Sequence, residues 1–223
     1  MTFKSVLPFA LVLTAACSVT QETTPVEVQL DPAVAKSHAS ALTTAVASAE
    51  ADDGLAITEA LGSVSDTSVA LVPKTKSGAR RRLVRSTVTC ACDAAARRCD
   101  FDGCRIGSAT VAGSVAWGDG VISCTGLSVD VPSQAGAVSE AHATIECALT
   151  YGEGSVAGDV RSTGRAVVDG VTYTWDATLV ARDVTFTSSA LTGGSVEAKA
   201  SVTTSSATRS EERLEASASV SLP

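Results

Sequence analysis

The stretch AVVDGVTYTWDATLVA, residues 166–181, decides the fold class. Asp169-Gly170 separates two apolar runs, and Asp-Gly is a preferred pair for the two-residue type I′ turn of a β-hairpin. After the turn, apolar and polar side chains alternate with a period of two, which is typical of a strand with one buried face. The predicted buried set is Val171, Tyr173, Trp175, Ala177, Leu179 and Ala181, and the predicted outward set is Thr172, Thr174, Asp176 and Thr178.

The same alternation continues on both sides of this hairpin, from Ser86 to the end of the chain. Gly118-Asp119-Gly120 separates two further alternating runs and predicts another turn. The alternation changes phase at Arg182-Asp183, which predicts a bulge or a turn there. About eight or nine strands joined by Gly-rich turns favour an antiparallel architecture. We therefore expect a mainly β fold, an antiparallel sandwich, meander or small barrel, preceded by a short α-helical N-terminal segment.

Two helices are predicted before the β region. Asp31-Pro32 has the form of an N-cap followed by proline at the first helical position, and an Ala-rich segment follows it. Apolar residues and one histidine then recur at helical spacing along one stripe; they are Val34, His38, Leu42 and Val46. We interpret His38 as a packing residue rather than a ligand. A second, shorter helix is predicted from about Leu55 to Leu61, ending at Gly62.

The N-terminus has the pattern of an export signal. Lys4 precedes an apolar run, residues 6–16, which matches the length of a signal-peptide core and is too short to span a bilayer. The run ends in Thr14-Ala15-Ala16-Cys17, which resembles the lipobox of bacterial lipoproteins, although that family usually has Leu where this chain has Thr14. The resemblance implies that Cys17 becomes the acylated first residue of the exported protein. Ser18, rather than an Asp, after the cysteine implies by the same resemblance delivery to the outer membrane in a cell with two membranes. The alternative is an ordinary secretory signal, with Cys17 belonging to the fold.

These patterns divide the chain into five parts. We expect a signal peptide at 1–16, a lipidated tether at 17–32, a helical segment at 33–62, a basic linker at 63–85 and a disulfide-containing antiparallel β-domain at 86–223.

The cysteines support the same division. The chain has seven, and an exported protein rarely keeps a spare thiol. Setting Cys17 aside leaves six candidates for disulfides in an oxidising compartment; they are Cys90, Cys92, Cys99, Cys104, Cys124 and Cys147. A turn would bring Cys99 or Cys104 within bonding distance of Cys90 or Cys92, and Cys124 and Cys147 are candidates to pair across the sheet, but the sequence does not choose among the 15 possible connectivities. A zinc site made of the four cysteines from Cys90 to Cys104 is the alternative.

Composition and charge limit the partners and the core. The formal net charge of −7 argues against nucleic acid, which basic proteins bind through its phosphates. Aromatic residues make up 4% of the chain, so the core is expected to consist of small side chains that disulfides reinforce. One basic island stands apart, and it consists of Lys74, Lys76, Arg80, Arg81 and Arg82. We interpret it as a solvated linker, with contact to anionic lipid or polysaccharide as the alternative.

One group of side chains in the sequence has the composition of a catalytic site. The chain contains neither a G-x-S-x-G elbow nor an H-E-x-x-H or P-loop motif. Glu140, His142 and Glu146 would share one face of a strand and form a conceivable acid/base or metal cluster. The same spacing is typical of the solvent face of a strand whose odd positions are buried, and we prefer that interpretation. We also expect Arg161, Arg165 and Asp176 to pair as surface charges.

Two functional hypotheses follow from these observations. The first is a non-enzymatic envelope lipoprotein that uses no metal or cofactor, contacts the membrane through Cys17 and binds another envelope protein or a glycan. The second is a small hydrolase or metal-binding protein that uses His142 with Glu140 or Glu146, or the cluster from Cys90 to Cys104.

Overall fold

A computed structural model describes residues 26–29, 32–69, 90–106, 109–131, 138–187, 190–206 and 209–222. The elements in chain order are β1 (Val26–Gln29), α1 (Pro32–Glu50), α2 (Gly54–Val69), β2 (Cys92–Asp93), β3 (Arg98–Ile106), β4 (Ala109–Gly118), β5 (Val121–Val131), β6 (Val138–Gly152), β7 (Ser155–Val168), β8 (Val171–Phe186), β9 (Leu191–Ser206) and β10 (Arg209–Ser221).

The strands form one sheet. Its spatial order is β1-β10-β9-β8-β7-β6-β5-β4-β3-β2, so β2 to β10 follow the chain as an antiparallel meander. β1 adds to the edge of β10 in parallel orientation. Of the expected architectures, the antiparallel meander with a preceding helical segment is confirmed.

The hairpin that decided the fold class is present. Val168 pairs with Val171, and Asp169 and Gly170 have φ angles of 51° and 78°, the positive values that a type I′ turn requires. Of the predicted inward set on β8, Trp175, Leu179 and Ala181 are buried. The predicted irregularity after Ala181 is also confirmed. The β8–β9 register shifts between Arg182 and Thr185, and Asp183 has a φ of 47°.

Two local predictions were wrong. The segment predicted as a tether contains β1, because the edge of β10 supplies backbone hydrogen-bond partners that local composition cannot reveal. α2 continues through Gly62, where the sequence predicted its end, to Val69. An interior glycine costs a helix about 1 kcal/mol relative to alanine, which lowers its stability without forcing a stop.

The helices pack against one face of the sheet, which we call the inner face. α1 contacts β7 to β10, while α2 contacts β3, β4 and β6 to β8. The turn between the helices is held at β4, where the Trp117 Nε1–H donates to Asp52 Oδ1 at 3.2 Å. Arg97 Nε lies 3.3 Å from the same oxygen. Gly54 at the start of α2 leaves no room for a Cβ, which would overlap Cys99 and Trp117. The helices and the sheet are therefore in close contact at this point.

Candidate functional site

The opposite, outer face of the sheet carries a continuous row of polar side chains. Each member is the register partner of the next one on the adjacent strand. From β3 to β10 the row reads Arg105, Thr110, Asp130, His142, Arg165, Thr174, Thr203 and Arg213. The row brings together residues from eight strands that are far apart in sequence.

His142 lies near the middle of this row. Its Nδ1 is 2.6 Å from Asp130 Oδ1, and its Nε2 is 3.5 Å from Thr144 Oγ1. Arg165 Nη1 lies 3.8 Å from Glu140 Oε1 on the neighbouring strand. A shallow cleft of about 400 Å³ runs beside these groups, lined by Thr110, Asp130, Val131, Glu140, Ala141, His142 and Arg165.

The predicted trio shares the outer face but does not form one cluster. Glu140 is next to Arg165, His142 is bonded to Asp130, and Glu146 is opposite Arg161 in the β6–β7 register. The odd positions of β6 are the more buried set, which confirms the interpretation of this strand as half solvated. Sequence reasoning missed Asp130 as the partner of His142, because the pairing depends on the β5–β6 register.

The side chains of Asp130, His142 and Thr144 lie in the order of an orienting acid, a base and a nucleophile. The side chains of His142 and Asp130 are 54% and 55% exposed, however. Water competes for the hydrogen bonds of side chains as exposed as these two. The 3.5 Å between Thr144 Oγ1 and His142 Nε2 is also at the outer limit of a hydrogen bond. The geometry gives weak support to catalysis. No group of three or more His, Cys, Asp or Glu side chains with metal-binding geometry occurs among the described residues.

A second polar cluster lies on the outer face towards β10. Arg161 donates to both oxygens of Asp176, at 3.1 and 2.7 Å. The hydrogen bond from Arg161 lowers the pKa of the Asp176 carboxyl. The hydrogen bond from Lys199 likewise lowers the pKa of Glu197. The predicted pairing of Arg161 with Asp176 is confirmed, whereas Arg165 lies beside Glu140 instead.

All six cysteines of the β region form disulfides. The bonds are Cys90–Cys104, Cys92–Cys99 and Cys124–Cys147. Cys92 faces Cys99, and Cys124 faces Cys147, as register partners on adjacent antiparallel strands. The expectation that these six cysteines form disulfides is confirmed, and the structure supplies the connectivity that the sequence left open. The four cysteines from Cys90 to Cys104 consequently have no free thiolate for the alternative zinc site.

His38 occupies the buried stripe of α1. It is 6% exposed, and burial lowers the pKa of its imidazole below the ordinary value of 6.5. Its neighbours on the same helix face, Ala35, Ala39 and Leu42, are fully buried. This environment is that of a neutral packing residue.

Several predicted sites lie outside the described residues. They are Cys17 and the basic island of Lys74, Lys76, Arg80, Arg81 and Arg82. Within the described part of the chain, no helix is both long enough and apolar enough to span a membrane.

Fold and site together define a class of protein, a disulfide-bonded antiparallel meander with a helical hairpin on its inner face and a polar outer face. No family model, curated protein or solved structure matches the chain.

Proposed function

We propose that this chain is a non-enzymatic lipoprotein, anchored through Cys17 to a bacterial membrane, the outer one in a cell with two membranes. One observation carries the proposal. The chain has seven cysteines, and the three disulfides use the six in the β region. The seventh is Cys17, the residue that the lipobox resemblance assigns to acylation. The paired set of six also fits an oxidising compartment outside the cytoplasm.

The folded part serves as a structural or binding module in this proposal. Docking of an apolar protein surface would be favoured by an exposed apolar or aromatic patch. Among the described residues, the exposed large hydrophobic side chain is Val121, at 44%. The outer face instead offers hydroxyls and charges of both signs beside two shallow clefts. These groups favour a polar partner such as an envelope glycan over an apolar protein surface.

The second candidate function, a small hydrolase, rests on the contact of His142 with Asp130 and Thr144. It ranks below the first because all three side chains stand on an open strand surface. It predicts hydrolysis of an activated ester that is lost in the variant His142→Gln.

The anchor is tested by expressing the full chain in a bacterium with two membranes and measuring the intact mass of the membrane-bound protein. We expect a form that starts at Cys17, carries acyl chains and contains three disulfides. Cys17→Ser should move the protein from the membrane fraction to the soluble periplasmic fraction. Ser18→Ala is the matched control and should remain acylated. An unacylated protein that starts at another residue would contradict the proposal.

A further inference from the structure

We propose that the outer-face cleft across β8, β9 and β10 binds an uncharged polysaccharide, which lies across the strands. This inference rests on the binding role proposed above and deepens it, because it names the site and the class of glycan. The cleft has a volume of about 360 Å³. It is lined by Asp176, Thr178, Lys199, Ala200, Ser201, Glu215, Ala216 and Ser217.

The polar side chains of the cleft form a grid of two rows. Each row takes one residue from each of the three strands, and its members are successive register partners. Two interstrand steps make each row about 10 Å long, and the two rows are about 7 Å apart along the strands. A sugar ring on this grid meets hydrogen-bond donors and acceptors on several sides. The rows are Asp176, Ser201, Glu215 and Thr178, Lys199, Ser217.

Two arginines hold the first row in place. Arg161 donates to both oxygens of Asp176, at 3.1 and 2.7 Å, and this bonding lowers the pKa of the carboxyl, which therefore stays an ionised acceptor. Arg213 donates from Nε to Ser201 Oγ at 3.2 Å, and its Nη2 lies 3.1 Å from Glu215 Oε1. The Ser201 hydroxyl accepts this bond, so its own proton is available to a ligand. Side chains that are already oriented lose less conformational entropy when a ligand binds.

The carboxylates remain open to a ligand although they are paired. The side chains of Asp176 and Glu215 are 50% and 42% exposed. Each carboxylate oxygen has two lone pairs, so it accepts a hydrogen bond from a sugar hydroxyl while it keeps its bond to arginine. Hydrogen bonds to ionised acceptors are stronger than those between neutral groups. A polyhydroxyl ligand therefore gains strong bonds without separating an ion pair.

The charges of the cleft disfavour an acidic glycan. Each charged side chain that lines the cleft has a partner of opposite charge within 3.1 Å, and these pairs are Asp176–Arg161, Glu215–Arg213 and Lys199–Glu197. An acidic sugar would have to displace a carboxylate from its cation, and it would be repelled by the carboxylates beside it. An uncharged glycan meets neither obstacle.

The site is tested by affinity electrophoresis of the full chain in a polyoxyethylene detergent. The gels contain dextran, mannan or galactan, which are uncharged, or dextran sulfate, which is acidic. We expect at least one uncharged polysaccharide to retard the protein and dextran sulfate to leave its mobility unchanged. Retardation by dextran sulfate, or by none of the uncharged polysaccharides, would overturn the inference.

A substitution in the cleft locates the binding. Asp176→Asn removes an ionised acceptor and should weaken the affinity for the retarding polysaccharide at least about tenfold. The matched control is Asp100→Asn on β3, because both carboxylate oxygens of Asp100 also accept from an arginine, Arg98. This control should bind as the parent chain does. Parental affinity in Asp176→Asn would overturn the assignment of the site.

A second substitution keeps the charges and fills the cleft. Ser201→Tyr places a ring at the centre of the grid and keeps a residue type that strands favour, so it should abolish retardation. Ser128→Tyr on β5, in the same cross-strand row, is its control and should leave retardation unchanged. Retardation of Ser201→Tyr equal to that of Ser128→Tyr would overturn the inference. Failure of the anchor is recognised separately, because the intact mass reports acylation and retardation in the gel does not depend on it.

Discussion

At the scale of single residues, Gly164 and Trp175 show how small and large side chains are combined on the inner face. The two residues are register partners on β7 and β8. The indole covers the glycine, is 5% exposed and donates from Nε1 to Ser162 Oγ at 3.2 Å. A Cβ at position 164 would overlap both the indole ring and the backbone oxygen of His142. The position therefore accepts no side chain.

We expect Gly164→Ala to lower the free energy of unfolding by about 1–3 kcal/mol, the usual cost of overpacking. The measurement is denaturant unfolding followed by circular dichroism. Gly62→Ala is the matched control, since nothing lies within 4 Å of a Cβ there and the residue is helical. That control should raise the free energy of unfolding by about 0.5–1 kcal/mol. Equal stability of Gly164→Ala and the parent chain would show that both the indole and the backbone at His142 can move aside.

At the scale of elements, both edges of the sheet end in very short strands. β1 has four residues and β2 has two. Long open edges invite pairing with other chains, and short edge strands limit that risk. Cys90–Cys104 and Cys92–Cys99 attach the residues around β2 to β3. These two disulfides protect the β3 edge as well as adding stability.

We expect the double variant Cys90→Ala/Cys104→Ala to lose about 3 kcal/mol and to expose the part of the β3 edge around Cys104, while Cys92–Cys99 still holds β2 to β3. Amide exchange of residues 101–106 should accelerate, and light scattering should rise as molecules associate. Cys124→Ala/Cys147→Ala is the control, because the disulfide that it removes closes a loop of comparable entropic cost between β5 and β6, in the interior of the sheet. It should lose similar stability with less association. Equal association of the two variants would contradict an edge-protecting role.

How far the sequence predicts each element depends on where its stabilising contacts lie. The β7–β8 hairpin and the bulge at Asp183 are encoded by residues next to one another, and both were predicted. β1 and the pairing of Asp130 with His142 depend on the edge of β10 and on the β5–β6 register, which local patterns do not contain. Disulfides among the six cysteines of the β region were predicted, but their connectivity was not, because it depends on the strand register and on the path of the chain before β2. In the candidate site, Glu140 and His142 were predicted from their spacing on one strand. Asp130 was not, because its contact with His142 depends on the β5–β6 register.

At the scale of the whole molecule, the helical segment and the sheet share one hydrophobic cluster. Leu42 and Val46 of α1 and Ile57 and Leu61 of α2 are fully buried in it. The same cluster contains inner-face residues from β3 to β10, among them Phe101, Val115, Ile122, Ile145, Val160, Leu179, Val196 and Ala218. Many of the sheet's apolar side chains therefore depend on the helices to exclude water.

We expect residues 86–223, exported alone to the periplasm so that the disulfides can form, to lack a cooperative thermal transition and to bind a hydrophobic dye. The reason is that this fragment exposes the inner-face residues that α1 and α2 cover, and it also lacks β1 at the β10 edge. Residues 26–223 are the matched control, since they keep every described element, and this fragment should unfold in a single transition. Calorimetry and dye fluorescence measure both fragments. A cooperative transition in the shorter one would show that the disulfide-bonded sheet is an independent domain, with the helices attached to a core that is already complete.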